Sequence, residues 1–200
     1  MKSDTTIIFV PGAWHNVLGW HAVGSRLKHE HGYNVTYVNL ASWGADPPLV
    51  DFTDDVAVIR GAIEKAVEAG QKVLLVFHSY GGVPGTEAVK GLDVESRQRE
   101  GKSGGVVRLV YCAAFMLAEG QCLADAFGED SSARAWQRVS EDGLSVIPTT
   151  PAETFYNDLA KDQAAMNVAG LKPHSFQTLF SKLTYAAWKY VPTTYLYCLR

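Results

Sequence analysis

Val73-Leu74-Leu75-Val76-Phe77-His78-Ser79-Tyr80-Gly81-Gly82-Val83-Pro84-Gly85 is the stretch that decides the fold. Its five consecutive apolar residues, Val73 to Phe77, read as a strand buried on both faces, the pattern of a parallel sheet rather than of an alternating surface strand. The strand runs directly into His78-Ser79-Tyr80-Gly81-Gly82, and a helix is predicted from Gly82 to about Val89. A serine on such a strand-to-helix turn is held in a strained backbone conformation, with its hydroxyl projecting above the sheet. Gly81 and Gly82 supply the small residues that close approach of helix and strand requires. The free amides at the helix start face the place where a negative oxygen would develop. Four of the five positions of Gly-x-Ser-x-Gly are matched, with Phe77 where the first glycine belongs. An ordinary strand-to-helix turn would also account for Ser79, but it leaves the glycine pair less specified.

Outward from this turn the chain alternates strands and helices. Thr5 to Val10 is predicted as the first strand, and its exit, Pro11-Gly12-Ala13-Trp14-His15, can aim a backbone N–H at the space above Ser79. Acyl transfer needs two donors around the tetrahedral oxygen, and these are assigned to the amides of Ala13 and Tyr80. A helix over Val17–His31 carries Trp20, Val23 and Leu27 on one stripe, and Val35–Leu40 is a second strand. Asp51 can cap a helix reaching about Ala69, with Phe52, Val56, Ile59, Ile63 and Val67 on its apolar face. Asp54 and Asp55 read there as favourable charges in the first turn. Glu95–Gly105 reads as a surface loop and Val106–Tyr111 as the next strand. Between Phe115 and Pro173 the signals are helical or irregular, with helices predicted at Ala152–Asn167 and from Pro173 to about Tyr185. A last strand spans Thr193–Leu199. The expectation is an α/β fold with a mostly parallel sheet and helices on both faces. Its core comprises 1–114 and 186–200, and a mainly helical cap occupies 115–185.

Composition narrows the function. The chain has 200 residues, 47% hydrophobic and 20% charged, and a formal charge of −3, which gives no electrostatic reason to bind nucleic acid. Cys112, Cys122 and Cys198 form neither a disulfide framework nor a metal knuckle. The N-terminal apolar run is too short for a signal peptide and no stretch approaches the roughly 20 apolar residues of a membrane span. A cytoplasmic protein is expected. The first strand exit offers one glycine and bulky aromatics instead of a dinucleotide-binding glycine pattern. No cofactor and no metal are expected.

Four segments together resemble one family: Phe9–His15 (FVPGAWH), Phe77–Gly82 (FHSYGG), Tyr111–Gly120 (YCAAFMLAEG) and Ala187–Cys198 (AWKYVPTTYLYC). They are similar to the small, cap-bearing, esterase and hydroxynitrile-lyase-like branch of the α/β-hydrolase superfamily. Fungal-type members share the bulky residue before His-Ser-Tyr-Gly-Gly. The resemblance implies Ser79 as nucleophile, Ala13 and Tyr80 as oxyanion hole, and a small substrate with a carbonyl group such as an ester, lactone or thioester. It also implies an acid just after the strand ending near Cys198 and a histidine further on, where this sequence has only Leu199 and Arg200. The C-terminal part of the core is therefore expected to be missing, leaving a sheet edge that self-association or a partner would cover. Three readings stay open: a piece of a longer hydrolase, a degenerate non-catalytic accessory protein, and an enzyme with a substitute base. Lyase or isomerase chemistry on the same scaffold is a further alternative. Trp14, His15, Phe115 and His174 are the candidates for the pocket lining. Trp136 is read as packing cap against core, and His78 as packed under the turn.

Overall fold

The computed structural model describes residues 4–128 and 135–198. Five parallel strands form the central sheet: β1 (Thr5–Val10), β2 (Asn34–Tyr37), β3 (Lys72–Ser79), β4 (Gly105–Ala114) and β8 (Thr193–Leu196), in the order β2-β1-β3-β4-β8. Side chains of β1 and β3 alternate between two apolar layers, as the pleat requires. Ile8, Val10, Val73, Leu75 and Phe77 face one side, and Ile7, Phe9 and Val76 the other. Both sides need cover, which explains the unbroken apolar run. On the first side lie α2 (Thr53–Glu68) and α3 (Gly82–Ala88), and α2 buries Ile59, Ile63 and Val67. On the second lies α1 (His21–His29), preceded by a 3-10 turn at Val17–Trp20, with Trp20 and Leu27 against Phe9 and Val76. Val23, expected on the same stripe, is exposed. The mostly parallel sheet with helices on both faces is thus present, and β8 forms one outer edge, with Leu196 and Tyr197 exposed.

Glu95–Gly105 is not simply a surface loop. α4 (Val94–Arg99) starts there, capped by Asp93, whose carboxylate accepts from the Ser96 amide at 2.9 Å. Arg97 is buried and donates to Glu68 Oε1 at 2.8 Å and to the Val67 carbonyl at 3.1 Å, satisfying the end of α2.

The segment between β4 and β8 corrects the expectation of a mainly helical cap. Three short strands, β5 (Gln137–Val139), β6 (Ser145–Pro148) and β7 (His174–Ser175), form an antiparallel sheet in the order β5-β6-β7. The helices of this region are short: α5 (Leu123–Ala126), α6 (Pro151–Phe155) and α7 (Lys161–Ala169). The single helix predicted over Ala152–Asn167 is broken between α6 and α7. The one predicted from Pro173 gives way to β7 and a 3-10 turn at Phe176–Phe180, because Ser145 and Val146 pair with Ser175 and His174. Tertiary pairing overrides local helix preference here. Among the described residues no helix is long and apolar enough to cross a membrane.

Candidate active site

Ser79 is the last residue of β3, and its φ of 50° places it in the left-handed region. A non-glycine residue costs about 1–2 kcal/mol there, so packing must hold it. The glycines around it show how. A Cβ on Gly81 would strike the Pro11 carbonyl oxygen and lie 3.0 Å from Val10 Cγ1, and one on Gly82 would strike the Phe115 carbonyl oxygen. A Cβ on Gly12 would come within 2.8 Å of Ser79 Cβ. Elbow, first strand exit and β4 exit therefore meet at backbone distance, and the Phe115 amide donates to the Ser79 carbonyl at 3.0 Å.

The first strand exit is strained too. Trp14 has φ 65°, in a turn closed by the His15 amide on the Gly12 carbonyl at 3.4 Å. Three hydrogen bonds hold that conformation. Trp14 Nε1 donates to the Val146 carbonyl of β6 at 2.8 Å, and its own carbonyl accepts from Trp43 Nε1 at 2.9 Å and the Lys172 amide at 3.1 Å. The loop carrying Ala13 is thereby tied to the cap sheet. Among the described residues, neither the Ala13 nor the Tyr80 N–H is paired with a backbone carbonyl.

Ser79 is half-buried and opens into a cavity of about 190 Å³. Ala13, Trp14, Tyr80 and Phe115 line it, so four of the residues singled out in the sequence are brought to the serine. Trp136, Phe155, Leu179 and Gln137 come to the same cavity from the cap and were not anticipated as pocket residues. Trp136 packs its edge on Trp14 at 5.3 Å, so its role as cap-to-core packing and its place in the cavity wall are the same contact.

The histidines fall into different places. His78 lines both this cavity and a neighbouring one of about 390 Å³, which His15, Asn16, Trp20 and Tyr156 also line. Burial pushes the His78 imidazole down to about 4, with the nearby His15 ring adding to the effect. His15 Nδ1 donates to the Ala13 carbonyl at 2.8 Å, and burial lowers its pKa as well. His174 is not at the pocket wall. It is completely buried beneath Tyr80, with ring centroids 4.5 Å apart, and Nε2 lies 3.0 Å from Thr178 Oγ1. Because Thr178 Oγ1 donates to the Ser175 carbonyl at 2.8 Å, Nε2 carries the imidazole proton. Burial lowers this histidine to about 3.

Both shifts give a pH prediction. An unfolded histidine protonates near 6.5, whereas His78 and His174 stay neutral when folded until about 4 and about 3. The unfolded state therefore binds more protons below pH 6.5, and stability falls as pH drops through that window. Between pH 6.5 and 5 each histidine contributes a loss of about 2 kcal/mol, which the burial-raised carboxyl of Asp55 opposes. Urea unfolding at pH 7.5 and 5.0 checks this, and equal stabilities would contradict it.

Asp55, read from sequence as a helix-dipole charge, is fully buried and does something else. Its carboxylate accepts from the Tyr80 hydroxyl at 2.7 Å and the Ser42 amide at 2.8 Å. Burial raises its pKa against these bonds and lifts Tyr80 well above its usual value. The side chain next to the serine is thus anchored to α2. Asp55→Ala leaves two donors unpaired in the core and is expected to lower stability by about 2–4 kcal/mol, read by urea unfolding. Asp125 accepts from the Cys122 amide at 2.8 Å at the start of α5 and is exposed. Asp46 is exposed in the loop after β2.

Comparison with known proteins bears on this geometry. Residues 7–199 match the model of the Alpha/beta hydrolase family. The chain is 34% identical over 194 residues to the α/β hydrolase nvfD of Aspergillus novofumigatus, covering 96% of this chain and 76% of that protein. It is 31% identical over 151 residues to a hydrolase of a Phoma species, covering 76% of this chain but only 58% of that protein. Among solved structures, an extracellular α/β-hydrolase from a Paenibacillus species superposes with a TM-score of 0.75 at 24% identity. That superposition covers 96% of this chain and 77% of the other.

Proposed function

Because the chain belongs to the Alpha/beta hydrolase family, we propose that it is a serine hydrolase cleaving a small ester, lactone or thioester through an acyl-enzyme on Ser79. The observation that carries the reading is the left-handed Ser79 at the mouth of a cavity shared with Ala13 and Tyr80. Ser79 Oγ adds to the substrate carbonyl carbon while its proton leaves to a base. The carbonyl oxygen becomes an oxyanion, received by the Ala13 and Tyr80 amides. Each such donor contributes about 3 kcal/mol to the transition state. The bond to the leaving oxygen or sulfur then breaks, a proton is delivered to that atom, and water repeats the sequence to release the acid and restore Ser79.

In this reading the proton acceptor is none of the histidines described above. His174 is committed to Thr178 beneath Tyr80, His15 faces the neighbouring cavity, and His78, which lines both cavities, is pushed by burial down to about 4, too weak a base for the task. The base that receives the Ser79 proton is left unassigned; the chain spans 76% of the Aspergillus protein. The three free thiols support a reducing compartment as the setting. A fluorophosphonate probe tests the reading, since its fluoride leaves readily and its phosphoryl oxygen needs the same two amides. Modification at Ser79 is expected. An unmodified Ser79 in the folded protein favours a non-catalytic relative instead.

A further inference from the structure

We propose that the cavity beside Ser79 is an acyl site for uncharged acids about the size of one aromatic ring, and that Phe155 sets its limit. The proposal rests on the serine-hydrolase reading and adds the substrate class. Size is the first ground. The cavity measures about 190 Å³, and an apolar cavity of about 150 Å³ accepts benzene. A benzoyl-sized group fills it, whereas an extended eight-carbon chain reaches past it toward Phe155 and the neighbouring cavity. Chemistry is the second ground. Its walls are hydrocarbon, with Trp14, Phe115, Phe127, Trp136, Phe155 and Leu179 supplying most of them. The polar side chains are Ser79, Gln137, the neutral His78 and Tyr80, whose hydroxyl is bonded to Asp55, so among the described residues a carboxylate entering here would shed water without meeting a cation.

Phe155 is the third ground. This residue of α6 lines both the Ser79 cavity and the neighbouring one, which on its far side presents His15, Asn16, Thr154 and Tyr156. Its ring is held between Trp14, at 5.8 Å, and His15, at 5.0 Å, and with His78 forms a partition between the Ser79 chamber and a neighbouring one that carries more polar groups. The leaving alcohol must take up a proton, so it departs toward the chamber with more polar groups, and the acyl group remains beside Ser79. Removing the Phe155 ring joins the two chambers and lets longer acyl groups through.

Binding to Ser79→Ala protein tests this without requiring turnover, read by quenching of tryptophan fluorescence. Methyl benzoate is expected to bind at least 10-fold more tightly than methyl octanoate or the monomethyl glutarate anion. Adding Phe155→Ala is expected to bring octanoate to within 3-fold of benzoate. Octanoate or glutarate binding within 3-fold of benzoate in the single variant overturns the proposal, as does an unchanged preference in a folded double variant. Should the double variant fail to fold, the ligand series on Ser79→Ala alone decides. Acetylation of wild-type Ser79 combined with a flat binding series overturns the acyl site and keeps the hydrolase. Ring-selective binding without any acylation of Ser79 overturns the hydrolase reading and, with it, the acyl assignment.

Discussion

Ser79→Ala is expected to abolish acetylation of this position by p-nitrophenyl acetate and, where a base receives the serine proton, to lower protein-dependent hydrolysis by about 10³-fold or more. This activated ester suits the test because its nitrophenolate leaves without needing a proton, so loss of the Ser79 proton, attack by Oγ and support from the two amides dominate the rate. The fold should survive the change. Ser79 is half-buried, and its backbone conformation is enforced by Gly12, Gly81 and Gly82 rather than by the hydroxyl. Mass spectrometry of the wild-type protein should find one acetyl group on the peptide containing Ser79, and none in the variant. Equal hydrolysis by both proteins would mean that another nucleophile does the work.

Gly81→Ala and Gly61→Ala make a matched pair with opposite expected signs. The added Cβ at 81 meets the Pro11 carbonyl oxygen, with the His78 carbonyl oxygen 3.1 Å away, and neither belongs to a flexible side chain that can yield. The first strand exit must then move away from the elbow, separating Ala13 from Tyr80. A loss of about 3 kcal/mol in stability and of about 10²-fold in Ser79 acylation is expected. At 61, in the exposed middle of α2, the added Cβ meets nothing within 4 Å. There the same substitution is expected to stabilise by about 1 kcal/mol through helix propensity. Urea unfolding compares the two. A harmless Gly81→Ala would show that elbow and first strand exit are not in backbone contact.

The elbow was legible because its requirements are local and strict. A strand covered on both faces needs the unbroken run Val73–Phe77, and the backbone contacts of Gly81 and Gly82 leave no room for a side chain. The cap was not legible. β5, β6 and β7 have 3, 4 and 2 residues, too few to display a period, and β7 pairs with β6 only across the intervening α6 and α7. Trp136 and Phe155 reach Ser79 only through that long-range assembly, so nothing beside them in the chain marks them as cavity residues. Asp55 is a different case, because its signal was present. It sits four and eight residues before Ile59 and Ile63, on the buried stripe of α2, where a carboxylate needs a partner. The first-turn position suggested a solvated charge, and the stripe was the stronger indication. His174, on β7, shares the fate of the cap: its burial under Tyr80 follows from the pairing of β6 with β7.

Attack by Ser79 with both amides receiving the oxygen is the central claim, and a crystal structure of the fluorophosphonate adduct tests it most directly. The account predicts phosphorus bonded to Ser79 Oγ, with its free oxygen about 2.7–3.1 Å from the nitrogens of both Ala13 and Tyr80. An adduct on another residue, or a phosphoryl oxygen turned toward solvent and away from those amides, would contradict it.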